Sequence, residues 1–493
     1  MCIDPLKVKV WEQLRQSDLK PFARLLTHEG IVYAARQAGL PLGRGPLNVV
    51  NLVWLALASA LHTSKNFAGV LGLVLKLLRD APEWESGTLA QAQRRGQRQA
   101  RTQKRHKHDP RGQDPTSVSE EAFVQARRKL PWTFWVNLLL WLTERFEHEH
   151  GSRTRWKHFR LLALDGTCLN LQGWRRLAEA FGTVSNGKGP RRRRVQARLV
   201  MVQMPLVRLP WRYELTSIHE GEKTVAARLL AGLRANDLLL MDRGFWSYGL
   251  FWQIQQQKAF FAIRQVAKVR LPTVRRLGEQ DRLVRYQPRD PKKKWRDLPK
   301  ALELRVIKYQ MKGFRPSAVV TTVTDPQVIT RQEWIQLATV DEVGRVLTPP
   351  GLYHRRWEIE TTFFELKVTQ GMQQNLRSRT PAGIRYEVAG HVLLYLLLRW
   401  LMVEAATQAE ENDPLRLSFA EALEEFRAMS PQLVLSPEAH VARVLRPRLL
   451  ERIASHRVPL RPGRHYPRPH DQKPKNKGHG QYQKPSKVSN KRA

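Results

Sequence analysis

The pattern of apolar residues changes near residue 158, and this change limits the folds open to the chain more than any other feature. From there, apolar residues come in short runs bounded by turn-forming residues, which is typical of buried β-strands. A helix at 225–233 separates the third predicted strand from the fourth. Three early strands followed by helix and strand crossovers indicate an α/β fold, a mixed sheet with helices on its faces. The predicted strands are HFRLLALDGT (158–167), RRVQARLVMVQMP (193–205), WRYELTSI (211–218), ANDLLLMDRG (235–244) and AFFAIRQV (259–266).

Two of these predicted strands end in an aspartate. Asp165 follows four apolar residues in LLALDGT, and Asp242 follows another apolar run in DLLLMDRGFW. A buried strand end tolerates a carboxylate poorly unless a cation or hydrogen bonds compensate its charge, so the two ends together predict a shared divalent metal ion. The alternative for each residue is structural, because Asp-Gly also forms turns and Asp-Arg also forms simple ion pairs.

A third carboxylate lies in the segment 353–367, YHRRWEIETTFFELK, which is predicted to form one amphipathic helix. With Tyr353 at zero and about 100° per residue, Arg356 falls near 300°, Glu360 near 340° and Lys367 near 320°. One narrow face therefore carries a phenol, a guanidinium, a carboxylate and an ammonium group, which suits anionic phosphate and metal. An ordinary amphipathic helix with a mixed polar face is the alternative interpretation.

The other side chains of this segment point elsewhere. Glu358 and Glu365 fall at about 140° and 120°, away from the polar face, and an apolar stripe lies beside it at roughly 220–280°. We expect the stripe to be buried against the sheet, so that the polar face lies at the rim. The stripe consists of Leu352, Ile359, Phe363 and Leu366.

Charge and composition indicate the kind of partner. The 84 Lys and Arg residues exceed the 44 Asp and Glu residues, which gives a net charge of +40, while 15 Trp and 42% hydrophobic residues indicate folded domains rather than a tail-like protein. Such a protein is expected to bind a polyanion, with nucleic acid as the leading partner. Only Cys2 and Cys168 are present, so neither a disulfide framework nor a four-cysteine zinc site is expected.

The sequence predicts no targeting segment and no membrane partner. The N-terminus lacks the basic start and apolar core of a signal peptide. The apolar run at 391–406 is interrupted by Arg399 and Glu404, and it is predicted to be a buried helix.

We expect five segments along the chain. A helical N-terminal domain contains helices after Pro46 and from Ser64, a basic segment at 91–115 that we expect to touch DNA, and a helix starting at Ser117 or Ser119. The basic end of that last helix is interpreted either as a DNA reader or as a complement to the helix dipole. It comprises Arg127, Arg128 and Lys129.

The five expected segments are an all-α DNA-binding domain (1–150), the first part of a catalytic core (151–266), a β-rich insertion (267–345), the rest of the core with C-terminal helices (346–460) and a basic disordered tail (461–493).

Three motifs together resemble the catalytic segments of a known family. LDGT, MDRGFWS and YHRRWEIETTFFELK are similar to those of bacterial insertion-sequence DDE transposases, in the group with the signature Y-x2-R-x3-E-x6-K. The resemblance covers residues 158 to about 400 and implies a ribonuclease H-like mixed sheet with a β-rich insertion. The joint occurrence of the motifs in this order is more specific than the four-residue signature alone.

The resemblance implies roles for individual residues. Asp165, Asp242 and Glu360 correspond to the catalytic metal ligands, which would hold Mg²⁺, or Mn²⁺ as a substitute, since Mg²⁺ prefers hard oxygen ligands. Tyr353, Arg356 and Lys367 correspond to residues that hold DNA phosphates. The implied activity is cut-and-paste excision and strand transfer in the bacterial cytoplasm, at the nucleoid, by a homodimer on paired double-stranded DNA ends.

Two other functions stay open on the sequence. A related protein could bind DNA without cutting it, and a nuclease with the same core could act on branched DNA. Similar transposases also stack a flipped base on an aromatic residue of the insertion. Trp295, Tyr309 and Phe314 are the loose candidates for that role, and the four arginines at 191–194 are candidates for DNA contact, with a solvated loop as the alternative.

Overall fold

The computed structural model describes residues 19–43, 47–63, 120–185, 193–267, 269–288, 297–310, 316–336, 339–340, 346–348, 351–411 and 413–458. The predicted helix from Ser64, the basic segment at 91–115 and the C-terminal tail lie outside these residues.

The N-terminal residues described are helical, as predicted. The helix expected after Pro46 begins at Val49, where the Asn48 side chain accepts a hydrogen bond from the Asn51 backbone N–H at 2.9 Å and caps it. The helices are α1 (Lys20–Ala23), α2 (His28–Gln37), α3 (Val49–Leu61), α4 (Glu120–Arg128) and α5 (Trp132–His150).

The expectation that the first 150 residues form a self-contained unit is wrong. Helix α3 is buried on nearly every face and packs against the helix Pro381–Gln408. There, Tyr386 Oη donates to the Leu52 carbonyl at 2.6 Å. Phe22 of α1 stacks on Phe426, with ring centroids 4.7 Å apart. An all-round apolar helix has to be covered on all sides, and partners distant in sequence supply that cover here.

A mixed sheet forms the centre of the molecule. In its first part β5, β4, β2, β6 and β7 lie side by side; β4 pairs antiparallel with β5 and β2, and β6 pairs parallel with β2 and β7. This arrangement confirms the predicted mixed sheet of an α/β fold. The strands are β1 (Arg155–Trp156), β2 (Phe159–Asn170), β3 (Thr183–Ser185), β4 (Arg193–Met204), β5 (Leu209–Ser217), β6 (Asp237–Met241) and β7 (Phe260–Arg264).

The segment predicted as a β-rich insertion contains antiparallel strands that continue this same sheet. The strand order beyond β7 is β11, β10, β9 and β8, and β11 pairs with β7 through Val320 and Ile263. A separate two-stranded sheet joins β12 and β13. The strands are β8 (Thr273–Gly278), β9 (Asp281–Tyr286), β10 (Leu302–Tyr309), β11 (Ser317–Thr321), β12 (Thr339–Val340) and β13 (Val346–Thr348).

Helices cover the sheet and form the C-terminal part of the described chain. They are α6 (Arg175–Phe181), α7 (Glu222–Leu229), α8 (Tyr248–Gln256), α9 (Arg331–Ile335), α10 (Glu358–Phe364), α11 (Met372–Asn375), α12 (Pro381–Gln408), α13 (Phe419–Leu435), α14 (Glu438–His440) and α15 (Arg446–Ser455). By length and composition α12 could cross a membrane, yet 94% of its most apolar window is buried inside the protein. The predicted buried helix at 391–406 is therefore confirmed.

Candidate active site

Asp165 and Asp242 lie on neighbouring parallel strands. The parallel pairing of β2 with β6 ends at Leu164 and Met241, and the two aspartates are the next residues of each strand. Asp242 follows the end of β6 as predicted, but Asp165 does not end a strand, because β2 continues to Asn170 by pairing with β4. The two carboxylates therefore meet where the parallel ladder stops, since neighbouring strands are only about 4.8 Å apart.

Burial and neighbouring acids destabilise the charged form of Asp165. The pKa of Asp165 is raised to about 6, chiefly by burial and also by the negative charges of Glu360 and Asp242, whereas the Gly166 N–H and Arg356 lower it in part. The Gly166 N–H donates to Asp165 Oδ1 at 2.8 Å. A group of acids with this balance is stabilised by any cation that binds between them.

The segment that carries the third carboxylate is not the single regular α-helix predicted from periodicity. It begins as a 3₁₀ helix (Leu352–Trp357), continues as α10 and ends in a π-helical turn (Glu365–Thr369). The apolar stripe is buried as expected, with Ile359 and Leu366 fully inaccessible. A constant 100° per residue fails here because the number of residues per turn changes twice along the segment.

Arg356 lies between two of the three carboxylates. Its Nη1 is 3.1 Å from Glu360 Oε1 and 4.0 Å from Asp165 Oδ2. Its guanidinium also lies over the Trp357 ring, 4.7 Å from the centroid. The predicted shared face of Arg356 and Glu360 is thus confirmed, and the charge of Glu360 contributes to the raised pKa of Asp165.

Tyr353 is buried instead of lying at the rim. The side chain is 8% exposed, and its hydroxyl donates to the Met241 carbonyl at 3.0 Å. Burial raises the pKa of Tyr353 above its usual range. Because Met241 directly precedes Asp242, this bond fixes the backbone from which that carboxylate projects.

Lys367 contacts the strand that carries Asp165. Its Nζ donates to the Cys168 carbonyl at 2.9 Å and to Thr167 Oγ1 at 3.2 Å. The ammonium group therefore joins the π turn to β2, two and three residues beyond Asp165.

The chemistry of the donor set fits a divalent ion of the Mg²⁺ type, because all three acids offer hard carboxylate oxygens. In the part of the chain that the structure describes, no three His, Cys, Asp or Glu side chains converge closely enough to hold an ion as they stand. The Arg356 guanidinium instead binds one Glu360 oxygen, at 3.1 Å, and lies 4.0 Å from Asp165.

Sequence reasoning missed a buried group of charged residues behind α10. Glu358 and Glu365 point away from the polar face, as the angular count predicts, and both bind Arg208, a residue of the β4–β5 turn. Arg399 and Tyr395 of α12 bind Glu365 from the other side. The available signal was an acid at position 365 between Phe364 and Leu366, together with an arginine inside the apolar run of α12.

Of the other predicted DNA contacts, one is contradicted. Arg127 is 5% exposed and lies 3.7 Å from Glu387, so it packs inside the protein and is not placed to read a groove. Arg193 and Arg194 are exposed at the start of β4. Tyr309 is half-buried at the end of β10, whereas Trp295 and Phe314 lie outside the described residues.

Proteins similar to this chain include transposases. The family described as "Transposase DDE domain" matches residues 156–397, a span that contains all three carboxylates. "Transposase InsG for insertion sequence element IS4" of Escherichia coli (strain K12) is 26% identical over 318 residues, which are 62% of this chain and 66% of InsG, just under two thirds of its length. A cryo-EM structure of the piggyBac transposase synaptic complex with hairpin DNA is similar with a TM-score of 0.37 and 10% identity, over 89% of this chain and 84% of that one. Residues 156–397 of this chain are therefore similar to the transposase DDE domain, and the chain as a whole is similar to a transposase of a bacterial insertion sequence.

Proposed function

We propose that this protein is a DNA transposase that cleaves DNA at the ends of its own insertion sequence and joins the cut ends to new DNA. The observation that carries the proposal is the position of Asp165 and Asp242 at the end of a parallel pair of strands, with Arg356 bound to Glu360 and 4.0 Å from Asp165. Within the transposase DDE domain, carboxylates gathered in this way suit metal-assisted attack on phosphorus.

Asp165, Asp242 and Glu360 are the proposed catalytic residues and the ligands of Mg²⁺, with Mn²⁺ as a substitute. When bound, the ions activate the attacking hydroxyl and stabilise the leaving oxygen. Asp165 and Asp242 are held by adjacent strands of the buried sheet, so their separation is fixed. Glu360 is the movable partner, because its side chain is 43% exposed and Arg356 is the one residue in the described part of the chain that binds it.

Arg356 and Lys367 are the proposed phosphate-binding residues, as in the Y-x2-R-x3-E-x6-K group. A guanidinium released from Glu360 presents a planar pair of donors to a phosphate, and the Lys367 ammonium supplies a point charge. The resemblance implies the same role for Tyr353. Its hydroxyl binds the Met241 carbonyl in the free protein, so a phosphate contact by Tyr353 requires that bond to open.

Double-stranded DNA, as element end and as target, is the proposed partner. The net charge of +40 supports it. The resemblance supports a homodimer on paired ends, excision by cut-and-paste through a hairpin intermediate, and a place in the bacterial cytoplasm at the nucleoid.

The direct test incubates the purified protein with Mg²⁺ and labelled DNA that contains the sequences flanking its own gene. We expect strand cleavage at the element ends by the wild-type protein. Asp165→Asn, Asp242→Asn and Glu360→Gln should each lower the rate by about 1000-fold, because several kcal/mol of transition-state stabilisation is lost.

The same assay separates the alternatives. Asp281→Asn, which changes a buried acid of the insertion sheet, is the control for a general effect on the fold. End binding without cleavage by the wild-type protein would indicate a binding relative instead. Cleavage of branched DNA irrespective of the element ends would indicate a nuclease.

A further inference from the structure

A buried group of charged and hydroxyl side chains holds the segment that carries Glu360 from behind. All of its side chains are at most 16% exposed. They join three elements that are distant in sequence: the β4–β5 turn, the segment from α10 to the π turn, and α12. We call this group the Glu365 cluster; it consists of Arg208, Glu358, Glu365, Tyr395 and Arg399.

The Arg208 guanidinium spans the segment. Its Nε donates to Glu358 Oε2 at 2.8 Å, and its Nη1 donates to Glu365 Oε1 at 2.9 Å. Glu358 is the first residue of α10, and Glu365 is the first residue of the π turn. One planar group with fixed donor directions therefore sets the rotation of both ends of the helix that carries Glu360.

The second oxygen of Glu365 is held by α12. Tyr395 Oη donates to Glu365 Oε2 at 2.6 Å, and Arg399 Nη2 binds the same oxygen. Two guanidinium groups thus face two carboxylates, so the buried charges balance. Removing one partner would leave a buried charge without compensation, so the four charged side chains have to keep this arrangement.

The cluster lies where the helix changes its pitch. The Gln370 N–H donates to the Glu365 carbonyl at 2.7 Å, a bond across five residues that defines the π turn. A π turn holds more residues than an α turn, so it changes the direction of every later side chain. Lys367 lies inside this turn and reaches Thr167 and Cys168 of β2.

Arg208 itself is anchored to the strand system of the active site. It lies in the turn after β4, with a left-handed φ of 51° that side chains rarely adopt. On β4, Met201 pairs with Asp165 of β2. The contacts of Arg208 therefore connect the β4–β5 hairpin, which lies beside Asp165, with the segment that carries Glu360.

We propose that Arg208 is a positioning residue of the transposition reaction, which sets Glu360 and Lys367 against Asp165 by clamping Glu358 and Glu365. It touches neither DNA nor the reacting atoms and acts through these two acids. This inference rests on the proposed transposase function.

The test compares Arg208→Lys with the wild-type protein, in two measurements on folded protein. The first is the affinity for element-end DNA with Ca²⁺ in place of Mg²⁺, and the second is the single-turnover cleavage rate of the preformed complex after Mg²⁺ is added. Lysine keeps the positive charge but cannot donate to Glu358 and Glu365 in two fixed directions. We expect unchanged end affinity and a cleavage rate lowered by about 10- to 100-fold, the cost of misplacing a reacting group by about 1 Å.

Arg208→Met and Arg446→Lys complete the design. Arg208→Met removes the charge as well and should lower the rate further; if it does not fold, Arg208→Lys decides alone. Arg446 forms a comparably buried ion pair with Glu404, with side chains 15% and 12% exposed, away from the Glu360 segment. Arg446→Lys should keep the wild-type rate even where it lowers the melting temperature.

Three results would overturn the proposal. A wild-type cleavage rate in folded Arg208→Lys would show that the clamp does not position Glu360. An equal loss of rate in Arg446→Lys would assign the effect to general stability. Failure of the wild-type protein itself to cleave its ends would reject the transposase function and this inference together, which distinguishes it from the first two results.

Discussion

Arg356 forms an ion pair with Glu360, with Nη1 3.1 Å from Oε1, and the same Nη1 lies 4.0 Å from Asp165 Oδ2. A guanidinium there offsets the negative charge that burial and proximity make costly at Asp165. The same contact occupies an oxygen of the expected metal ligand. We therefore propose that Arg356 competes with the metal ion in the free protein and binds a phosphate in the complex with DNA.

Removing this competitor should strengthen metal binding in the absence of DNA. In Arg356→Ala the three acids lose their internal cation, so we expect tighter binding of Mn²⁺ by the DNA-free protein, measured by electron paramagnetic resonance titration. Joining of element ends should weaken in the same variant, because a phosphate contact is lost. Arg427→Ala is the control, since Arg427 pairs with Glu424 within α13 at 2.8 Å. Equal Mn²⁺ affinity in wild type and Arg356→Ala would contradict the competition.

Tyr353→Phe should destabilise the DNA-free protein. The substitution leaves the buried Met241 carbonyl without its 3.0 Å donor, which costs about 1–3 kcal/mol. Urea unfolding without DNA measures this change. Tyr33→Phe, at a side chain that is 43% exposed, should have no effect. Unchanged stability in Tyr353→Phe would show that the hydroxyl does not stabilise the DNA-free protein.

Glu387 should make stability depend on pH. Burial raises the pKa of Glu387 from its usual value of 4.5 to about 7, and Ser378 and Arg127 lower it only in part. Between these two values the folded protein holds a proton that the unfolded chain releases, so the stabilising contribution is full below 4.5 and is lost as the pH rises through 7.

Glu387→Gln has no carboxyl group at this position and therefore does not titrate in this range. We expect the wild-type protein to lose stability relative to the variant between pH 4.5 and about 7. Urea unfolding at each pH measures this difference. Glu421→Gln, on the exposed side of α13, controls for a general effect of charge. Parallel pH profiles of wild type and Glu387→Gln would rule out a proton on Glu387 in this range.

Gly390 should be required by the close approach of α3 and α12. A Cβ at this position would lie 2.7 Å from the Ala56 carbonyl oxygen, which is backbone and cannot move aside alone. Gly390→Ala gains about 1 kcal/mol of helix propensity but should lose about 1–3 kcal/mol to overpacking, so destabilisation wins. At Gly151 a Cβ would meet nothing within 4 Å.

Thermal unfolding of the two alanine variants tests this contact. Gly151→Ala should be neutral or stabilising, because it only restricts the unfolded chain. A Gly390→Ala protein as stable as wild type would mean that the two helices can separate without cost.

The local part of the active site can be predicted from the sequence. Asp165 and Asp242 follow apolar runs that mark buried strands, and this pattern is sufficient to predict that both residues lie on the sheet. The pairing of Arg356 with Glu360 follows from a spacing of four residues on a helix. These predictions succeed because each depends on neighbours within one turn or one strand.

Features that depend on distant residues cannot be predicted in this way. The π turn at Glu365 has no recognisable local pattern, since the partners that hold it are 157 residues away at Arg208 and 34 residues away at Arg399. In the sequence, Arg127 resembles any other basic residue of a DNA-binding protein. Its burial beside Glu387, which is 260 positions later in the chain, follows only from tertiary packing.

The most direct test of the account is a structure of the protein bound to cleaved element-end DNA and Mn²⁺, with the ions located by anomalous diffraction. We predict Mn²⁺ at about 2.1 Å from carboxylate oxygens of Asp165, Asp242 and Glu360, with Arg356 moved from Glu360 to a DNA phosphate. Glu360 still paired with Arg356, with the ions bound by other residues, would contradict the central claim.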